Sequence, residues 1–178
     1  MIKPKIVSQQ LIVETRIFRV EQLGLEFSNG EKRTYERLLG GVRGSVLVIP
    51  MLDDDTVLMI REYSAGSQDY QLALPKGRME EGEDPLQAAN REMREEVGYA
   101  ARALRLLKIF TIAPAYIQHH TYAILAQDLY PDKLTGDEPE PIEVVPWKLS
   151  DLDNLLAQPD LTEARSIAAL CLARNVLL

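Results

Sequence analysis

The sequence predicts an α/β protein: a mixed sheet covered by helices, with a small antiparallel β subdomain at the N-terminus. Three observations carry this. Two near-continuous apolar runs, residues 45–51 (SVLVIPM) and 56–63 (TVLMIREY), read as strands buried on both faces. A capped helical stretch at residues 84–98 follows them, and further strand patterns and then helical patterns follow that. Residues 1–40 alternate and turn as strands.

Residues 5–15 and 18–27 (FRVEQLGLEF) read as strands, Ser28-Asn29-Gly30 as a hairpin turn, and residues 32–38 as the returning strand. So thin a sheet is not stable alone, and must pack on the remainder of the chain or on another copy. The two apolar runs flank Asp53-Asp54-Asp55 and are expected to pair as a second hairpin, central to a sheet. Three consecutive aspartates admit a metal site, but the turn preference of Asp makes a solvated turn the expected reading. Residues 71–74 form a short strand. In the helix that follows, Asp84 is the N-cap, Pro85 the first helical residue, Gln87 the capping-box partner and Gly98 the left-handed terminator. Leu86, Ala89, Met93 and Val97 make its core stripe.

Residues 103–111 and 116–127 are strand candidates around Ala113-Pro114-Ala115. The adjacent His119 and His120 would point to opposite faces of a strand, against a two-histidine metal site. Residues 131–141 (PDKLTGDEPEP) form an acidic loop and 142–147 a last strand. Ser150 is expected to cap a short helix through Gln158, and Thr162 a longer one to the C-terminus. Ile167, Ala168, Cys171 and Leu172 are the expected core stripe of that last helix.

Composition bounds the function. The chain suits one domain, with room for a small appendage. A net charge of −7 with no Lys/Arg cluster argues against a nucleic-acid surface. No apolar run approaches the ~18 residues of a membrane-spanning helix, and the first residues carry no signal-peptide pattern. The single cysteine, Cys171, rules out an intramolecular disulfide and fits a cytoplasmic compartment. Its apolar helical setting reads as core.

The chemistry concentrates on the capped helix. Glu92, Glu95 and Glu96 fall on one face, because i, i+3 and i+4 are neighbours. Three carboxylates so close repel one another without a cation, and an all-oxygen cluster suits Mg²⁺ or Mn²⁺. A solvated acidic face, relieved by Arg91 and Arg94, is the alternative. The wider spacing favours the metal. Gly77, five residues, Glu83, seven residues, Arg91-Glu92, two residues, Glu95-Glu96, one residue and Gly98, then Tyr99, resembles the Nudix box G-x5-E-x7-R-E-x-x-E-E-x-G at every fixed position.

The resemblance to the Nudix superfamily implies an α/β/α sandwich over residues 41–178, with residues 1–40 as a dimerisation subdomain. It also implies hydrolysis of a nucleoside diphosphate linked to another group, by attack of a metal-activated water. Pro114 and Tyr116, 16 and 18 residues after Gly98, are similar to marker positions of ADP-ribose and diadenosine polyphosphate hydrolases, respectively. LEFSNG, RTYER, IREY, AANREMREEVG, AQDLYP and GDEPEP together resemble the ADP-compound hydrolases of the superfamily, which act on ADP-ribose, NADH and diadenosine polyphosphates. Two departures stand out: related ADP-ribose pyrophosphatases carry Glu-Leu-Pro-Ala-Gly before the box, and this chain has Ala73-Leu74-Pro75-Lys76-Gly77, so that Ala73 removes an acidic residue and Lys76 adds a cation.

Roles follow from the motif and the resemblance together. Glu92 and Glu96, one turn apart, are the primary metal ligands, with Glu95 close behind and the Lys76 backbone carbonyl completing a site. Glu83 and Arg91 are the orienting pair. Glu140 matches the general-base position best, with Glu138 in reserve; an acidic solvated loop is the alternative. Arg61 and Tyr63 are candidates for phosphate and adenine, with a strand-end structural role equally open, and Tyr116 is a candidate for base stacking. The expected partners are small nucleoside diphosphate derivatives and a second copy of the chain, with no nucleic acid and no membrane. A Nudix-fold sensor that binds such a compound without cleaving it is the competing reading.

Overall fold

The computed structural model describes residues 1–41 and 43–177. Its strands are β1 (Lys5–Glu14), β2 (Arg19–Glu26), β3 (Lys32–Leu39), β4 (Ser45–Pro50), β5 (Thr56–Ser64), β6 (Asp69–Ala73), β7 (Lys76–Arg78), β8 (Tyr99–Phe110), β9 (Ile117–Gln118), β10 (Thr121–Pro131) and β11 (Glu143–Lys148). Helix α1 (Pro85–Glu96) precedes β8, and α2 (Leu152–Leu156) and α3 (Ala164–Leu177) follow β11. Contacts divide the chain into two compact units, Met1–Gly44 with Thr111–His120, and Ser45–Phe110 with Thr121–Leu178.

In the first unit the sheet order is β1-β2-β3-β9. The turn between β2 and β3 closes through Gly30, at a φ of 85° that favours glycine, and through Asn29, whose Oδ1 accepts from Glu31 N at 3.1 Å. Residues 111–120 join this unit because Leu38 N and Gly40 N donate to the carbonyls of Tyr116 and Gln118, at 2.8 and 2.9 Å. His119 and His120 follow β9 instead of lying inside a strand, so the opposite-face expectation does not apply to them. Along β1 every residue is exposed, including Ile6, Val7, Leu11, Ile12 and Val13.

The second unit is an α/β/α sandwich, and the alternation of its strands explains why. On β4 and β10, Val46, Val48, Ile124 and Ala126 pack with Ala88, Ala89, Met93 and Val97 of the α1 side. Their neighbours Leu47, Ile49, Ala123 and Leu125 pack with Leu152, Leu155, Ala169, Leu170 and Ala173 of the α2 and α3 side. Period-two strands thus feed two cores at once, which is why their sequences read as unbroken apolar runs.

Several expectations need correction. β4 and β5 do not pair as a hairpin; they touch at one bridge, Met51 to Val57, and then part. β4 lies between β7 and β10 in a mixed sheet ordered β7-β4-β10-β8, and β5 lies between β11 and β6 in an antiparallel one. Two strands buried on both faces each need two partners, and separate sheets supply them. The three aspartates do form a turn. Asp53 Oδ1 accepts from Asp55 N and Thr56 N, and Thr56 Oγ1 donates to Asp53 Oδ2, which holds the Asp53 carboxyl down at about 2. Asp55 takes up Ser150 through its backbone N and Oγ, at 2.7 and 2.8 Å, so Ser150 does not cap α2. Thr162 Oγ1 likewise bonds Gln71, and the start of α3 is capped by Glu163, whose Oε2 accepts from Ser166 N at 2.8 Å. The buried face of α3 is Ser166, Ala169, Leu170 and Ala173; the expected stripe, Ile167 with Cys171, lies at its margin. Leu86 of α1 is exposed and Ala88 takes its place in the core.

Candidate active site

Helix α1 is built as its sequence directs. Asp84 accepts from Leu86 N and Gln87 N at 2.8 and 3.0 Å, and Gln87 Oε1 accepts from Asp84 N at 3.0 Å, closing the capping box. Gly98 ends it at a φ of 82°. This fixes the rotation of the helix, and with it the direction of its carboxylates.

Glu92 and Glu96 are 8% and 7% exposed, on the face turned towards β7. Lys76 N of that strand donates to Glu96 Oε2 at 3.0 Å, and Lys76 Nζ reaches Glu62 Oε2 at 3.0 Å. The next residue is Gly77, and a Cβ there would lie 2.0 Å from the Glu92 carboxyl carbon, so the carboxylate would have to shift to admit one. Burial pushes the Glu96 carboxyl up to about 9, against the pull of Lys76. Burial also raises Glu92 to about 7, opposed by Arg91 and reinforced by the like charges of Glu95 and Glu138.

Arg91 organises the rest. Its Nε and Nη2 donate to the two oxygens of Glu83 at 2.7 and 3.0 Å, and Nη2 also donates to the Arg78 carbonyl at 2.9 Å. Its Nη1 bonds Glu92 Oε1 and Glu95 Oε2, both at 2.9 Å. Glu83 is held below its ordinary range by the Arg91 bond, and Arg91 is raised in turn. Among the described residues no three His, Cys, Asp or Glu side chains stand in metal-holding geometry. The donor set nevertheless fits a hard divalent cation: it is all oxygen, and two of its carboxylates, Glu92 and Glu96, are buried, where unpaired negative charge is costly.

Three adjoining cavities run from this cluster. The first is lined by Glu62, Lys76, Gly77, Arg91, Glu92, Glu95, Glu96 and Glu138 among others. The second shares Glu95, Glu96 and Glu138 and adds Glu140. The third carries Arg61, Tyr63, Tyr70 and the 138–143 segment. The acidic loop is tied to α1 by Asp132 N to the Gly98 carbonyl and Leu134 N to the Arg94 carbonyl, both 3.1 Å.

This geometry, joined to the box, matches what comparison with known proteins returns. The NUDIX domain matches residues 41–171, and the NudE-type Nudix hydrolase N-terminal domain matches residues 4–37. The chain belongs to the Nudix family. It is 45% identical to the ADP compounds hydrolase NudE of Escherichia coli over 97% of this chain and 92% of that enzyme. It is 25% identical to the ADP-ribose pyrophosphatase of Bacillus subtilis over 95% and 91% of the two chains. A crystal structure of an ADP compounds hydrolase superposes with a TM-score of 0.93 at 44% identity, covering 99% of this chain and 95% of the other. Nudix hydrolases generally use a divalent metal.

The structure thus gathers Glu83, Arg91, Glu92, Glu95, Glu96, Lys76 and Glu138 around one cavity of this Nudix unit. Glu140 lines the next two and accepts a 2.6 Å bond from Tyr70 Oη. Arg61 bonds two carboxylates, Glu143 at 2.7 Å and Asp160 at 3.0 Å, and also lines the third cavity. Tyr63 lines the third cavity. Tyr116 belongs to the first unit, 69% exposed. Sequence reasoning passed over Glu62 and Tyr70. Their signal is register: β5 pairs with β6 so that Tyr63 faces Tyr70, a match visible only once those two strands are aligned.

Proposed function

We infer that this Nudix pyrophosphatase hydrolyses the pyrophosphate bond of ADP-linked compounds (ADP-ribose, NADH and diadenosine polyphosphates) and releases AMP. The observation that carries the reading is the pair of buried carboxylates, Glu92 and Glu96, gripped between β7 and the Arg91–Glu83 pair at the head of a chain of cavities.

Glu92, Glu96 and Glu95, with the Lys76 carbonyl, would hold a divalent cation, Mg²⁺ or Mn²⁺. When bound it would shield the phosphate charge and lower the pKa of a water. Glu83 acts through Arg91: the guanidinium fork orients Glu92 and Glu95, so the pair is a positioning device. For the general base we favour Glu138 over Glu140. Glu138 lines the same cavity as Glu92, whereas Glu140 is absent from that lining and is bonded to Tyr70. Water attacks phosphorus directly on this reading, since Cys171 packs against the α3-side core and offers no covalent nucleophile at the cluster. In ¹⁸O-labelled water, one product phosphate alone takes the label.

We further infer a homodimer formed through the first unit, because β1 exposes apolar residues along its whole length. Residues 1–40 are on this reading the dimerisation subdomain and 41–178 the hydrolase domain. A cytoplasmic setting agrees with the single cysteine; no helix among the described residues is long and apolar enough to cross a membrane. The deciding experiment is purified protein with ADP-ribose and Mg²⁺, assayed for AMP. Formation of AMP and ribose 5-phosphate supports the hydrolase; tight binding with no product supports a sensor instead.

A further inference from the structure

Apart from Glu138, which also lines the carboxylate cavity, the walls of the third cavity carry no residue used in the hydrolysis just described. It measures about 310 Å³, at the small end for ligand pockets, and so suits one ring system better than a whole dinucleotide. Tyr63 and Tyr70 stand opposite each other on β5 and β6, edge to face, with ring centroids 5.6 Å apart. They are 51% and 45% exposed, so aromatic surface is left open at the cavity. Pro139, Pro141 and Ile142 form the apolar part of the remaining wall, and Glu140 and Glu143 stand among them. The cavity shares Glu62 and Glu138 with the carboxylate cavity, so a ligand in it is continuous with the reacting centre.

We propose that this aromatic cavity is the subsite for the second ring of the substrate, the planar base of the half that is not AMP. The proposal rests on the function inferred above. Adenine and reduced nicotinamide are both close to flat; adenine carries an amino group and nicotinamide a carboxamide, and each has an NH2 that donates hydrogen bonds. Stacking on a tyrosine face tolerates either ring. Carboxylates accept only, and each oxygen can accept more than once, so Glu140 and Glu143 can take this donor group while keeping Tyr70 and Arg61. An open, half-exposed platform suits the part of the substrate that varies; ADP-ribose has a ribose but no second planar base to place there.

The test compares kcat/KM on NADH, diadenosine triphosphate and ADP-ribose for wild type, Tyr70→Leu, Tyr63→Leu and Tyr70→Phe. Either leucine variant should lose about tenfold more on NADH and diadenosine triphosphate than on ADP-ribose, mainly through KM. Tyr70→Phe keeps the stacking face and loses only the bond to Glu140, so its substrate ratio should stay near wild type. Equal losses on all three substrates, or none on any, overturn the proposal. A second measurement is independent of turnover: fluorescence titration of metal-free protein with reduced nicotinamide mononucleotide. Wild type and Tyr70→Phe should bind it and the leucine variants should bind at least tenfold more weakly; equal binding by all four overturns the subsite. If wild type cleaves none of the substrates, the inferred function falls, and the titration still decides the subsite.

Discussion

Gly77→Ala adds one methyl group at the most crowded point of the site. The added Cβ would stand 2.0 Å from the Glu92 carboxyl carbon and 2.1 Å from each oxygen. Ordinary contact begins near 3.4 Å, so the carboxylate must retreat by more than 1 Å. It is poorly free to do so, being 8% exposed and bonded at 2.9 Å to Arg91. The backbone is not the obstacle, since Gly77 is not among the positive-φ glycines. A misplacement of that size at a reacting centre costs about 100-fold in rate, and overpacking costs about 1–3 kcal/mol in stability. We therefore expect kcat/KM on ADP-ribose to fall about 100-fold, and the melting temperature to fall by a few degrees. Gly66→Ala is the control, because its added Cβ meets nothing within 4 Å. Gly77→Ala with activity within threefold of wild type would refute the claim that Glu92 is held against β7 for catalysis.

Glu92→Gln and Glu96→Gln keep shape and remove ligand charge, so turnover should fall at least 100-fold with the far-ultraviolet spectrum unchanged; wild-type turnover that persists in excess EDTA would sink the metal mechanism. Arg91→Lys keeps one charge but loses the fork that reaches Glu83, Glu92, Glu95 and the Arg78 carbonyl, and should cost about 10- to 100-fold in activity or metal affinity, read by kinetics against Mg²⁺ concentration. For stability against pH, Glu92 and Glu96 are raised to about 7 and about 9 from 4.5, so the metal-free native state holds more protons than the unfolded chain across that window. Their contribution is full below pH 4.5 and is lost as pH rises through 7 and 9, so melting in EDTA should weaken from pH 5 to 9, and Glu96→Gln should flatten the trend. Sedimentation at micromolar protein should give a dimer, and a stable monomer would count against association through β1.

What the sequence made legible and what it hid follow one physical division. Signals confined to a few consecutive residues carried through: the Asp84–Gln87 capping box, the Gly98 terminator, the Gly30 turn and the helix spacing that aligns Glu92, Glu95 and Glu96. Pairing between distant segments did not. Nothing local in residues 45–63 says that β4 will leave β5 for β10, 70-odd residues away, because both runs are equally apolar and the turn between them suits a hairpin. Ser150 and Thr162 failed as caps for the same reason. Each has the right residue type at the right place, and each is taken by a partner from a distant strand or turn, Asp55 and Gln71. At the site, the helix contributions were readable and Tyr70 was not, since its role depends on facing Tyr63 across a strand pair.

The same division explains how one loop comes to line both the carboxylate cavity and the aromatic one. Residues 131–141 are fastened to α1 at one end, through Asp132 and Leu134, and reach Tyr70 through Glu140 at the other. Between those anchors lies Glu138, which faces both the carboxylate cavity and the aromatic one. On the proposed reading a ring stacked on Tyr63 and Tyr70 lies beside the segment that carries Glu138. Binding energy from a remote part of a substrate raises kcat when it is spent on holding the reacting groups in place. Stacking on Tyr63 and Tyr70 is the same in the bound substrate and at the transition state, so on the proposed reading a second planar base lowers KM and leaves kcat near its value for ADP-ribose. Glu62 also lines both cavities, and Lys76 bonds it through Nζ while its own backbone N holds Glu96. Replacing the alanine of related pyrophosphatases by Lys76 thus joins the buried carboxylate to the cavity wall in a single residue.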